Sequence, residues 1–183
     1  MIKECDILDE KKSNILRKIS KEVKFPLEES DITLLNNMIM YLRMSQDEEY
    51  AKRNNIRAGM GLSAVQIGVL KRIFVISYKK EDGTFEEYKV INPKIISHSE
   101  ELIYVEEGEG CLSINRYVEG IVPRYARATI EYYDEKGTKV TKRVREEIAV
   151  AFQHEIDHLN GILFPDKIDK KNPFKNQENM RAI

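Results

Sequence analysis

The chain has 183 residues, the size of a single domain that can bury a sizeable core. Hydrophobic residues make up 42% of it and charged residues 33%, a balance that is ordinary for a soluble globular protein. The formal net charge is −1, and no apolar run approaches the roughly 20 residues that span a bilayer, so neither direct nucleic-acid binding nor a membrane is expected. We predict one domain over residues 1–183.

The start of the chain and its two cysteines predict a cytoplasmic location. Residues 1–6 include a lysine with no apolar run behind it, which is not the pattern of a secretory signal. Cys5 and Cys111 could pair in principle. Without an export signal, free thiols or a thiolate that binds a metal are the better interpretation.

The first third of the chain favours helices. Residues 13–23 predict a short helix, and the Phe25-Pro26 pair predicts an extended break after it. A second helix is expected from Ser30 or Asp31 to about Met44, because its apolar residues recur at helical spacing. The charged segment 46–53 is expected to form a solvated helical turn.

Strand-like segments follow a glycine-containing stretch. Residues 58–66 include Gly59 and Gly61, which let the backbone approach a ligand closely. Runs at 72–78, 87–91, 94–105, 117–122, 128–133 and 138–144 have strand character, with an Asn-Pro pair at 92–93 expected to break the chain. Helices, then strands, then one more helix predict an α+β fold, with antiparallel sheets packed around a central helix.

That last helix carries two of the three histidines. Acidic residues suit its first turn, apolar residues three and four apart describe a buried face, and Asn160-Gly161 supplies a stop. His154 and His158 would present two imidazoles to one metal ion, with Glu155 beside it to move a proton. HExxH is short enough to occur by chance, so a helix that merely carries two histidines is the alternative.

Two histidines leave positions for further ligands. His98 lies in a polar stretch and is expected to be a surface histidine. Cys111 follows Gly110 between two strand candidates, where the backbone can bend tightly. A lone cysteine is more often a small buried hydrophobic residue, but the open positions at the metal favour Cys111 as a ligand. For Asp157 we expect an ion pair, with Arg124 as a candidate partner.

Three segments, at residues 59–66, 109–113 and 153–158, resemble the three motifs of the peptide deformylase family in the same order. The resemblance extends over roughly residues 10–170, and the segment 46–55 is similar to the version common in Gram-positive and related bacteria. Ser63 and Val65 stand where the commonest first motif has alanine and proline.

The resemblance implies a metal-dependent hydrolase that removes the N-formyl group from the formylmethionine of new polypeptides and releases formate. Cys111, His154 and His158 would bind one divalent ion, with water as the fourth ligand. Fe(II) would be the native ion, and Ni(II), Co(II) or Zn(II) could replace it. Water would attack the formyl carbon, with Glu155 as general acid and base.

The resemblance also implies how the substrate is held. Gln66 and the backbone N–H of Leu112 would stabilise the oxyanion. The substrate backbone would pair with the glycine segment as an added strand, and the last helix would line the methionine pocket. The implied substrate-binding residues are Gly59, Gly61, Gly110, Val150 and Ala151.

Two other functions are compatible with parts of the sequence. A zinc metallopeptidase of the HExxH type usually takes a third ligand downstream, and no histidine follows His158. A non-catalytic module that binds metal or nascent chains would need neither Glu155 nor Gln66. The expected partners are N-formylmethionyl nascent peptides, with a transient ribosome contact. The polar tail, about residues 169–183, is expected to be partly disordered.

Overall fold

The computed structural model describes residues 2–183 and has an α+β architecture. Within these residues, three α-helices and eight strands form around two sheets. The helices are α1 (Glu29–Ser45), α2 (Glu48–Asn54) and α3 (Glu146–Leu159), and the strands are β1 (Gly61–Ser63), β2 (Ile73–Lys79), β3 (Phe85–His98), β4 (Leu102–Tyr104), β5 (Arg124–Tyr125), β6 (Arg127–Tyr133), β7 (Lys139–Arg145) and β8 (Arg181–Ala182).

The larger sheet has five strands in the order β1-β2-β3-β6-β7, and every neighbouring pair is antiparallel. The smaller sheet has the order β5-β4-β8, in which β4 and β5 are antiparallel but β8 lies parallel to β4. Antiparallel pairing is therefore the rule, with one parallel edge. None of the helices in residues 2–183 is long and apolar enough to cross a membrane.

Helix α3 packs against both sheets. Phe152 is fully buried and meets the rings of Phe74 and Tyr88 edge-on at centroid distances of 5.4 and 5.3 Å. Val150 belongs instead to a small cluster with Ile103 from β4. Edge-to-face aromatic contacts add to the burial of apolar area. The helix is therefore held on two sides, and the side chains at its remaining edge have fixed positions.

The helix expected at residues 13–23 is only a 3₁₀ turn at Asn14–Arg17. The residues after it are extended, because the amide of Ser20 donates to the carbonyl of Leu159 at 2.9 Å and that of Lys21 to the carbonyl of Leu70 at 3.0 Å. Tertiary hydrogen bonds here outweigh local helix propensity, which is worth only a fraction of a kcal/mol per residue. The N-terminal helices of the fold are α1 and α2.

Asn92-Pro93 does not interrupt β3, contrary to the sequence prediction. Asn92 adopts a positive φ of 51°, and the pairing with β6 shifts register between Ile91 and Lys94. A bulge is one of the few places where a sheet tolerates proline. The Asn92 side chain also makes two hydrogen bonds with the backbone of Val23, at 2.8 and 2.9 Å, which stabilise the bulge.

Two further segments differ from the expected pattern. The run at 117–122 forms no strand, and the amide of Ile121 donates instead to the carbonyl of Pro173 at 3.0 Å. The polar tail ends in β8, where Arg181 pairs with Glu101 at 2.9 Å and with Glu146 at 2.8 Å. These partners are distant in the sequence, so no local pattern reveals them.

Candidate metal centre

Three side chains with metal-ligating atoms meet at the edge of α3. The Sγ of Cys111 and one ring nitrogen each of His154 and His158 all lie within 4.8 Å of one another. The Sγ of Cys111 is 3.3 Å from Nε2 of His158. In residues 2–183 these are the only histidine, cysteine or acidic side chains that converge in this way.

Their chemistry fits a divalent transition-metal ion. One thiolate and two imidazoles form a donor set that suits iron, zinc, cobalt or nickel rather than magnesium or calcium. Burial lowers the pKa of His158 well below its ordinary value, which favours the neutral imidazole that can act as a ligand. Nδ1 of His154 lies 2.8 Å from Oε2 of Glu109, so Nε2 is the nitrogen left for an ion.

Glu109 joins the histidine pair to a buried ion-pair network. Arg124 donates to both of its carboxylate oxygens, at 2.7 and 2.9 Å, and is only 2% exposed. Burial alone would raise the pKa of Glu109, but hydrogen bonds from Arg124 and His154 lower it to about 2. Arg124 also pairs with Asp157, as the sequence suggested. Glu109 therefore stays ionised and fixes the orientation of the His154 ring.

Glu109→Gln should weaken metal binding about 10- to 100-fold, because partners that orient a metal-bound histidine have effects of that size. The glutamine amide oxygen can still accept a hydrogen bond from His154, but the side chain carries no negative charge. Arg124 therefore loses one of its carboxylate partners. Metal affinity is measured by competition with a chelator. Glu101→Gln is the matched control, since Glu101 also pairs with an arginine, Arg127, but is 37% exposed. Equal affinities in both variants would contradict this role.

Glu155 lies next to His154 and is 3% exposed. Burial raises its pKa above the ordinary value of a glutamate. Oε2 accepts a hydrogen bond from Oγ of Ser63 at 2.7 Å. Oε1 lies against Gly61, where an added Cβ would be 2.3 Å away, so a side chain at position 61 would displace the carboxylate.

Gln66 is 1% exposed and its side chain lies beside Cys111. Its Oε1 accepts from the backbone N–H of Ser63 at 2.8 Å, which directs Nε2 toward Cys111 Sγ, 3.7 Å away, and Ser113 Oγ, 3.2 Å away. The backbone N–H of Leu112 makes no hydrogen bond to another of residues 2–183. The amide of Gln66 and the N–H of Leu112 are therefore two donors close to Cys111.

The loop that carries Cys111 is held by a residue that sequence reasoning missed. The guanidinium of Arg57 donates to the carbonyls of Leu112 and Ile114, the latter at 3.3 Å, and its Nε donates to Glu4 at 3.1 Å. Only the folded chain brings these groups together, since Arg57 and Leu112 are 55 residues apart.

A cavity of about 480 Å³ opens onto this cluster. Ten of the eleven site residues predicted from the sequence line this cavity. The eleventh, His158, is not part of the lining and is 1% exposed. His98 lies elsewhere at the surface, where its ring stacks on Tyr125 with centroids 3.6 Å apart. The cavity is lined among others by Gly59, Gly61, Gln66, Gly110, Cys111, Leu112, Val150, Ala151, His154 and Glu155.

Comparison with known proteins gives one consistent result. The family model described as polypeptide deformylase matches residues 6–174. Peptide deformylase 2 of Bacillus cereus is 45% identical over 169 residues, which cover 92% of each chain, and the peptide deformylase of Oceanobacillus iheyensis is 44% identical over all of both chains.

Solved structures agree with the sequence relatives. The peptide deformylase of Plasmodium falciparum superposes with a TM-score of 0.71 at 33% identity, covering 90% of this chain and 87% of that chain. The peptide deformylase of Thermotoga maritima gives a TM-score of 0.70 at 30% identity, covering 89% of this chain and 96% of that chain. The similarity therefore extends over the fold as a whole and includes the cleft.

Proposed function

This chain belongs to the peptide deformylase family, and from that premise we propose that Cys111, in the loop between β4 and β5, and His154 and His158 of helix α3 hold the metal ion on which its reaction depends. The protein is a metal-dependent hydrolase that removes the N-formyl group from nascent peptides. The observation that carries the assignment of residues is the convergence of one sulfur and two ring nitrogens within 4.8 Å at the cleft.

Glu155 is the group that moves the proton. The ion, when bound, supplies a Lewis acid that makes water a nucleophile near neutral pH. The Glu155 carboxylate takes the proton of the attacking water and returns it to the departing amine of the peptide. One side chain thus acts first as the base and then as the acid. Its burial beside His154 supports this role, because solvent cannot compete for the proton.

Gln66 and Leu112 stabilise the negative charge that develops on the formyl oxygen. Nε2 of Gln66 lies 3.7 Å from Sγ of Cys111, and the unused backbone N–H of Leu112 follows Cys111 directly in the chain. Such fixed donors act most strongly where charge appears in the transition state. The hydrogen bond from Ser63 N–H to Oε1 of Gln66 supports the orientation of the amide, since it leaves the NH₂ group toward the cleft.

The glycines and the edge of α3 bind the peptide. The backbones of Gly61 and Gly110 line the cleft and can pair with an extended chain, as in other modes of strand addition. Gly59 also lines the cleft, but its N–H donates to Oγ of Ser45 and its carbonyl accepts from Nε2 of Gln46, so it supplies space for the peptide and no free hydrogen-bonding group. Val150 and Ala151 lie on the helix one turn before the histidine and give an apolar wall for the methionine side chain.

Fe(II) is the ion we assign to the native enzyme, with Ni(II), Co(II) and Zn(II) able to replace it. The mixed thiolate and imidazole set accepts all four, so supply in the cell decides between them. Metal analysis of protein purified without oxygen identifies the ion. A cytoplasmic location and a transient contact with the ribosome are part of the same proposal, because the substrate is the N-terminus of a newly synthesised polypeptide.

The test of the function is formate release from formyl-Met-Ala by the nickel-loaded protein. We expect one formate and one free Met-Ala amine per substrate consumed. Acetyl-Met-Ala is the matched control, since a methyl group replaces one hydrogen, and we expect little reaction with it. Cleavage of the Met-Ala bond with the formyl group retained would contradict the proposal and favour a metallopeptidase.

A further inference from the structure

Ser63 makes two hydrogen bonds that connect the proton carrier with the amide of Gln66. It is the last residue of β1 and is fully buried. Its hydroxyl donates to Oε2 of Glu155 at 2.7 Å, and its backbone N–H donates to Oε1 of Gln66 at 2.8 Å. One residue therefore contacts the side chains of both Glu155 and Gln66, which line the cleft.

The position of Ser63 on its strand explains these contacts. Alternate residues of a strand point to the same face, so Gly61 and Ser63 both face α3. Gly61 leaves room for Oε1 of Glu155, and Ser63 supplies a donor to Oε2. The two positions together enclose the carboxylate, one by having no side chain and the other by a short polar one.

The hydroxyl favours the carboxylate over its second acceptor. Its single proton can reach Oε2 of Glu155 at 2.7 Å or the backbone carbonyl of the same residue at 3.1 Å. The shorter contact is to a charged group, and charge-assisted hydrogen bonds are the stronger kind. Oε1 accepts no hydrogen bond from another of residues 2–183, so it is the oxygen left free at the cleft.

We propose that Ser63 is a positioning residue of the deformylation reaction, whose hydroxyl holds Oε2 of Glu155 so that Oε1 exchanges the proton with the substrate. The inference rests on the proposed role of Glu155. The contact depends on serine at this position, because the alanine of the commonest first motif has no hydroxyl to donate.

Ser63→Ala removes the hydroxyl and keeps the backbone N–H that holds Gln66. We expect kcat on formyl-Met-Ala to fall about tenfold, the size of one hydrogen bond to a charged group, with KM and metal content within about twofold of the parent. Ser63→Thr keeps a hydroxyl and should hold kcat within about threefold of the parent. Ser77→Ala is the matched control, because Ser77 is equally buried and donates to Glu87 at 3.0 Å, away from the cleft.

The same substitution in a Glu155→Gln background separates this inference from the proposed function. If Ser63 acts through Glu155, adding Ser63→Ala to Glu155→Gln lowers the residual rate no further, since interacting residues show non-additive effects. The inference is overturned if Ser63→Ala leaves kcat unchanged, or if Ser63→Thr loses as much kcat as Ser63→Ala. It is also overturned if Ser63→Ala lowers the rate by the same factor in the parent and in Glu155→Gln. Full activity of Glu155→Gln by itself overturns the proposed function, and the inference with it.

Discussion

Glu155→Gln should lower kcat about 1,000-fold while the protein keeps its metal, because proton transfer by a positioned side chain contributes about 10²- to 10⁴-fold to a rate. Glutamine has nearly the same shape and can still accept from Ser63, but its amide cannot take a proton from water. The comparison is between steady-state kcat on formyl-Met-Ala and metal content per chain.

Glu146→Gln is the control for this substitution. It makes the same chemical change at the start of the same helix, where Glu146 pairs with Arg181 at the surface. We expect it to change kcat by less than about twofold, since exposed ion pairs contribute little. A Glu155→Gln protein that is metal-loaded and retains most of its kcat would mean that another group carries the proton.

Cys111→Ser should lower metal affinity more than about 100-fold, beyond the range of the outer partners of a metal site, because a direct anionic ligand is lost. A serine hydroxyl is neutral at pH 7 and binds iron, nickel or zinc far more weakly than a thiolate. Activity should then require a large excess of added metal. The measurement is a titration of metal-free protein with Ni(II), read out as bound metal and as formate released.

Cys5→Ser gives the matched control for the loss of a thiol. Cys5 is exposed near the N-terminus, and within residues 2–183 the only hydrogen bond of its side chain is to the neighbouring Asp6. We expect its metal affinity and activity to equal those of the parent. If Cys111→Ser binds metal as tightly as Cys5→Ser, the third ligand is a different side chain.

The position of the two histidines that we propose as ligands could be predicted because it follows short-range rules. His154 and His158 share one face of a helix through their spacing alone, and that helix begins at the acidic pair and ends before the Asn160-Gly161 stop, as the sequence indicates. Cys111 required a second argument, since its 43-residue separation from His154 reveals nothing about distance in space. The resemblance to a family with three ordered motifs supplied that argument.

The residues that surround the ligands could not be predicted in this way. Glu109 contacts His154 across 45 residues, and Arg57 reaches the carbonyl of Leu112 across 55. Each contact depends on where the loop between β4 and β5 lies in the folded chain, which no local periodicity encodes. Ser63 was noticed only as a departure from a motif, and its contact with Glu155 needed the packing of β1 on α3.

The same distinction applies to the fold. The periodic segments around α1 and α3 were predicted with nearly the observed extents, whereas the short helix at 13–23 and the break at Pro93 were wrong. In both failures a distant backbone or side-chain hydrogen bond outweighed a local preference, as at Ser20 and Asn92. The boundary of a single domain over residues 1–183 stays a prediction.

Titration of the metal-free enzyme with Ni(II) under anaerobic conditions, followed by formate release from formyl-Met-Ala, tests the central claim most directly. The account predicts no release without metal, a linear rise to one equivalent of Ni(II) per chain, and a plateau beyond it. Formate release by protein shown to be metal-free, or a plateau only at two equivalents, would contradict a reaction that depends on one ion held by Cys111, His154 and His158.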